Sequence, residues 1–220
     1  HLGRSQEAVN ATREAVTIRR RLVDQGMQTV RPELARSHGN LGLWLSDLGL
    51  HAQALLETEQ ALEQYRLIAR ERPLAVRQDI ARELNNLGTM LSGLGRHEEA
   101  LRATSEALDL RRELAQRNPV AWRAELASSL HNVGAMLFEL ERYGEALLKT
   151  REAVAMRYEL VAEDRRAHLF LLASNLVNEN ATLDNLGRNE QALQSTTESM
   201  DLFRELHTLD PSAVVEPLAM

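Results

Sequence analysis

Moved along by 46 residues, this chain lies on itself without a gap from residue 2 to residue 211. Gly42, Gly88 and Gly134 coincide, with Asn180 in fourth place. Leu48, Leu94, Leu140 and Leu186 coincide, and Leu2 extends the series backwards. Ala54, Ala100, Ala146 and Ala192 follow Ala8, and Ala61, Ala107 and Ala153 follow Ala15 and give way to Ser199. Pro73, Pro119 and Pro211 mark one boundary. A fixed period of this length belongs to a stack of supersecondary units, each burying its apolar face against the next.

Each period reads as two helices. In the second full period Ile80, Leu84, Leu87, Leu91 and Leu94 recur at three- and four-residue spacing, which predicts a helix from Ala75 to Leu94. Gly95 ends it, because glycine takes a left-handed conformation readily. A second helix runs from Glu98 to Gln116, with Leu101, Leu108 and Leu114 inward. Asn118-Pro119 closes it, since the residue before proline is pushed out of the helical region. The connection is short, so the pair packs antiparallel. Composition agrees: Ala, Leu, Glu and Arg dominate, aromatics are only 4%, and no β-branched run of strand length occurs. The expected fold is all-α, a right-handed superhelix of antiparallel helix pairs with about nine helices. Residues 1–26 supply the second helix of a truncated repeat. Four full repeats cover 27–72, 73–118, 119–164 and 165–210, and residues 211–220 begin another.

Gly88 stands inside a helix, where glycine costs about 1 kcal/mol against alanine. A phosphate-cradling loop would need a preceding strand and a following Lys-Ser or Lys-Thr, and neither exists. Recurrence at one phase points instead to close approach of paired helices, Gly88 against Ala100. Asn40, Asn86, Asn132 and Asn178 also hold one position in every first helix, and Thr12, Thr58, Thr104, Thr150 and Thr196 one position in every second helix. A residue repeated each period is architecture. The amides are expected to bridge neighbouring helices, and the threonines to bond the carbonyl four residues back.

The run Gly88, Gly95, Ala100, Ala107 resembles the tetratricopeptide repeat: a small residue in the first helix, a turn glycine, then two alanines in the second helix. Gly42-Gly49-Ala54-Ala61 matches it. Gly134-Ala146-Ala153 matches all but the turn, where Glu141 stands, and Asn180-Gly187-Ala192-Ser199 matches half. The period exceeds the family's usual 34, and the extra length is expected in longer helices. In this the chain is similar to kinesin-light-chain-type repeats, whose Leu-Asn-Asn-Leu run is echoed by residues 84–87. The resemblance implies a non-catalytic module that binds a protein or peptide on a concave face lined by the first helices. Helical spacing projects that face onto Arg36, Gly39, Leu43 and Ser46; Arg82, Asn85, Thr89 and Ser92; Ser128, His131, Ala135 and Phe138; and Ser174, Val177, Ala181 and Asp184. Arg36, Arg82, Asn85, Thr89, Ser92, Ser128, His131 and Phe138 are the candidate partner-binding residues. Arg31, Arg77 and Arg123 flank them, free to meet ligand carboxylates or else paired with Glu33, Asp79 and Glu125 or the neighbouring repeat. The Asn and Lys clamp of chaperone-tail binders is absent.

Other chemistry is thin. Motifs of the HExxH, GxSxG, GxGxxG and calcium-loop types are missing, so no catalytic residue, metal or cofactor is expected. An enzyme would need a non-repeating polar cluster in a cleft, and the sequence displays none. His51 and His97 share a position with Tyr143 and Asn189 and read as packing residues near the inter-helix turn. The sequons at Asn10 and Asn180 fall within predicted helices and are discounted. There is no cysteine, and the net charge of −6 argues against nucleic acid. No apolar run of membrane-spanning length and no signal-peptide pattern occurs, so the expected setting is cytoplasmic, without a membrane partner. Lys149 is the only lysine beside 25 arginines, as in a GC-rich bacterial coding sequence. The alternative function is a sensor or regulatory arm of a larger multidomain bacterial signalling ATPase.

The ends suggest a fragment of a longer array without polar caps. An exposed apolar face on residues 5–25 is expected to pair with another copy of the chain or with a missing repeat, so self-association through the uncapped ends is expected. The run His168-Leu169-Phe170-Leu171-Leu172 is apolar where earlier repeats carry Arg and Glu, and reads as an interaction patch or an interface.

Overall fold

The computed structural model describes residues 2–209, with side chains from residue 6 onward. Nine α-helices and one 3-10 turn follow in order among the described residues, without a strand. They are α1 (Leu2–Asp24), α2 (Arg31–Asp47), α3 (His51–Ala69), α4 (Arg77–Gly93), α5 (His97–Arg117), α6 (Pro119–Glu139), α7 (Tyr143–Glu163), α8 (Arg165–Asn185) and α9 (Asn189–Leu209). Neighbouring helices pack in a repeating pattern within each of two compact units, the arrangement of an α-solenoid. The chain divides into two compact units between Leu114 and Ala115. The further repeat expected over residues 211–220, with Pro211, lies outside the described residues.

Every turn inside a helix pair has one geometry. Gly49, Gly95 and Gly187 take φ of 72°, 72° and 68°. Around each, two reversed hydrogen bonds satisfy the last carbonyls of the first helix: Gly95 N–H to Ser92 at 2.9 Å and Arg96 N–H to Leu91 at 2.9 Å, repeated at the other turns. Glu141, the residue that breaks the glycine series, adopts the same conformation with φ 58° and the same two bonds. A side chain there carries the steric cost that glycine avoids.

The recurrent glycines mark where the paired helices touch. A Cβ on Gly42 would stand 2.5 Å from Thr58 Oγ1, and one on Gly134 would stand 2.8 Å from Thr150 Oγ1. A Cβ on Gly88 would collide with Thr104 Cγ2. The two recurrent sets, glycine and threonine, are therefore one contact, sixteen residues apart in each repeat. Thr12, Thr104 and Thr196 bond the carbonyl four residues back, at 2.7, 2.9 and 2.9 Å, while Thr58 lies 3.2 Å from the Met90 sulfur. Ala54, Ala61, Ala100, Ala107, Ala146 and Ala153 are all fully buried.

Three expectations are corrected. In the first two full repeats the first helix is only 17 residues, so part of the added length lies in the connections, residues 25–30 and 70–76. In the later two, α6 and α8 reach 21 residues and start directly after Asn118 and Asp164, whose side chains cap Ala121 and Ala167 N–H at 3.2 and 3.1 Å. Leu94 is no core residue: it follows α4 and is 40% exposed. On residues 5–25 the apolar face is covered, because Val9, Val16 and Val23 pack on Leu34, Leu41 and Leu45 of α2, leaving Ile18 half exposed. The apolar run of the fourth repeat is divided: Leu169 and Leu172 are core, while Leu171 and Phe170, the latter edge-on against Phe203, are exposed.

Gly88→Ala is expected to destabilise the fold by about 1–3 kcal/mol through overpacking, despite its better helix propensity. Thr104→Ala in that background restores most of the loss, as a urea-unfolding double-mutant cycle measures. Glu141→Gly is expected to stabilise by about 0.5–1 kcal/mol, the left-handed penalty less the added freedom of the unfolded chain, read from the same unfolding curves.

Candidate partner-binding faces

The first helices present consecutive polar and small residues, and the structure sorts them into engaged and available. In the first unit Arg36 is available, with Glu33 3.9 Å away as its nearest acidic neighbour and a largely exposed side chain. Leu43 and Thr89 are exposed, Asn85 and Ser92 half-buried. The Thr89 hydroxyl bonds its own helix at the Asn85 carbonyl, 3.2 Å away. Arg82 is consumed: it donates to Glu83 at 3.1 Å, lies 3.0 Å from Asp79 and reaches the Tyr65 hydroxyl at 3.4 Å.

The carboxylate that holds Arg82 is itself buried. Glu83 is 2% exposed, accepts from Asn86 at 3.3 Å and lies against Gly39, where a Cβ would come within 2.7 Å of it. Burial pushes the Glu83 carboxyl above its ordinary range, and the Arg82 charge only partly opposes this. Burial, reinforced by Asp79, likewise pushes the Tyr65 phenol up to about 12.

In the second unit Ser128 is engaged, accepting from Arg157 at 2.6 Å. His131 on α6 meets Asn178 on α8 at 3.4 Å, so one of the recurrent asparagines does bridge neighbouring first helices. Asn86 stays within its own helix. Burial, and then the Arg157 charge, hold the His131 imidazole below its ordinary value. Burial also lowers the Arg157 guanidinium, against the attraction of Glu125. Below this pair Ala135 and Phe138 of α6 and Asn178 and Ala181 of α8 line a cavity of about 150 Å³, floored by Gly134 and Thr150. Phe138 is held edge-on by Tyr143, ring centroids 5.4 Å apart. Ser174 bonds the Phe170 carbonyl, and Val177 and Asp184 are exposed.

The flanking arginines take other partners than Glu33, Asp79 and Glu125. Arg31 donates to Gln64 at 2.6 Å, Arg77 lies 2.5 Å from Glu113, and Arg123 holds Glu159 and Glu163 at 3.1 and 2.7 Å. All these partners lie at the end of the second helix of the same repeat, which a reading of adjacent residues does not reach. A second set joins successive second helices between residues 40 apart: Arg13 with Gln53, Arg20 with Gln60, Arg66 with Glu106, Arg151 with Gln191, and Tyr158 with Glu198. The separation was legible as the period less six.

One cluster breaks the repeat. His38 occupies the place of Leu84, Leu130 and Leu176 and is 1% exposed. Arg20 can only donate, so His38 Nε2 accepts from it at 3.0 Å, and Nδ1–H donates to Glu57 at 2.6 Å. This is the non-repeating polar cluster that sequence inspection missed. Both ring nitrogens are engaged, so the imidazole has none left for a substrate. Among the described residues no group of His, Asp and Glu is placed to hold a metal, and no helix is long and apolar enough to cross a membrane.

Residues 82–119 and 126–164 match a family model described as tetratricopeptide repeat. No curated protein matches the chain. Among solved structures it is similar to BtubC (BKLC) from P. vanneervenii, with 18% identity, 92% of each chain covered and a TM-score of 0.58. It is similar to YrrB, described as a TPR protein with an unusual peptide-binding site, with 16% identity over 89% of this chain and 80% of that one, TM-score 0.57. It also resembles a Rap protein complexed with competence and sporulation factor, at 16% identity and TM-score 0.65, covering 93% of this chain and 51% of that one. At such identities the likeness is one of fold.

Glu83→Gln isolates the buried carboxyl. A carboxyl whose folded value lies above its unfolded one supports the fold most while protonated, and that support is lost as pH rises through the folded value. Above pH 4.5, the ordinary value, stability of the parent is expected to fall more steeply with pH than that of Glu83→Gln. Urea midpoints at successive pH values measure the difference.

Proposed function

The chain is a tetratricopeptide-repeat protein, and on that premise we propose that it is a non-catalytic interaction module that holds a segment of a partner protein or peptide across consecutive first helices. The observation that carries this reading is the cavity between α6 and α8, where Ala135, Phe138 and Ala181 offer apolar surface beside the Asn178 amide. A small recess that combines this apolar surface with the polar groups of Asn178, Glu139, Thr150 and Thr182 suits a side chain of an extended ligand. The TPR neighbours YrrB and Rap are described with a peptide-binding site and with a bound factor, which supports the same use of the fold. Of the eight candidate residues, His131 and Phe138 fit best, with Arg36, Asn85, Thr89 and Ser92 as a separate set in the first unit. Arg82 and Ser128 act by supporting these faces.

Ala181→Arg closes the cavity from its rim while leaving the core of α8 in place. In paired captures from lysate, a partner held in this recess is expected to be retained by the parent and reduced at least about tenfold by the variant, about 1.4 kcal/mol. Helicity of both proteins is checked by circular dichroism. Captured proteins retained equally by both would refute the assignment.

A further inference from the structure

Five positions of the first unit recur two periods later in the second, and only the first set includes a carboxylate. In the first unit the Glu83 carboxylate of α4 lies against Gly39 of α2 and accepts from Arg82 and Asn86, and Arg82 in turn reaches the Tyr65 hydroxyl of α3. In the second unit the equivalent positions are His131 on α6, Arg157 on α7, and Ser174, Asn175 and Asn178 on α8. Asn175 replaces the carboxylate, and Arg157 replaces the phenol. The result is a site rich in donors. Arg157 and Asn175 are each 2% exposed, and Arg157 Nε, Asn175 Nδ2 and His131 Nδ1 are buried without a hydrogen-bond partner. Arg157 donates to the Ser128 hydroxyl at 2.6 Å, and the Glu125 charge only partly offsets its burial. Buried guanidinium and amide donors are costly unless an acceptor meets them.

We propose that Arg157, Asn175 and His131 form a carboxylate-binding site, and that it takes an acidic side chain of the partner segment in the place that Glu83 fills within the first unit. The proposal rests on the interaction-module reading above. His131 and Asn178, both half-buried and in contact with each other, form the mouth. Asn178 also lines the 150 Å³ cavity, so one ligand residue enters the anion site while a neighbouring apolar one fills the recess. A cavity of that volume accommodates a benzene-sized group. The planar guanidinium and the amide present directional donors, which suits a carboxylate better than a spherical anion.

Acetate is the probe. Sodium acetate replaces sodium chloride at constant ionic strength while the arginine Nε and histidine ring nitrogen resonances of labelled protein are recorded. The expected result is a saturable shift confined to Arg157 and His131, with a rise in the thermal midpoint that chloride does not give. The variant Asn175→Glu with His131→Gly carries the first unit's residues at those two positions and supplies its own carboxylate, so acetate is expected to leave it unmoved. A parent without a saturable shift, or a variant that responds equally, overturns the site; the parent titration alone decides should the variant not fold. Acetate needs no protein partner. Its failure would remove this site and leave the module standing, whereas captures that survive Ala181→Arg would remove the module and leave the acetate result intact.

Discussion

Omission of one methyl group governs this architecture. Gly42, Gly88 and Gly134 let the first helix of each pair settle against the threonine of the second, and any larger residue would meet a hydroxyl or methyl first. From that contact the rest follows. It fixes how far the helices slide past each other, which places the left-handed turn residue and buries the alanines on either side. It also sets which side chains project from the first helices, and so where Ala135, Phe138 and Ala181 surround a recess. The fourth repeat, with Asn180 in place of glycine, keeps Thr196 bonded to its own backbone.

The fold was largely legible because repetition is a property of the sequence itself. The phase of Gly, Ala, Thr and Leu gave the number of pairs and the turns, including the odd one at Glu141. Helix bounds were right within a few residues in the second full repeat. Connection lengths were not legible: Pro73 and Pro119 look alike in sequence, yet Pro119 opens α6 at once and Pro73 sits in a longer connection. The faces were less legible than the fold. Helical spacing says which residues share a side of α4, but it cannot say that Arg82 turns to Glu83 and Asp79. The buried polar position of the first helices, Ser37, Glu83, Ser129 and Asn175, escaped notice because its residue types differ while its burial does not. Aligning the repeats and asking where polar residues replace leucine would also have found His38.

Arginine richness has a structural use beyond any hint of origin. Arg31, Arg77 and Arg123 tie the start of a first helix to the end of its partner, and Arg13, Arg20, Arg66 and Arg151 tie one second helix to the next. Each exposed tie contributes at most about 1 kcal/mol. Their value is collective. A guanidinium offers several donors in a fixed plane, so one arginine holds two acceptors on different turns, as Arg123 does.

The ladder of ties between residues 40 apart bears on how such a chain changes length. Because donor and acceptor recur with the period, excision of one whole period re-registers the survivors. Removing 47–92 would bring Arg20 opposite Glu106, an acid in place of Gln60, and Gly42 opposite Thr104. Unequal crossover between neighbouring repeats thus yields a shorter array with matched charges and matched packing. Selection can therefore act on reach, the number of recognition faces in a row, with little penalty in foldability.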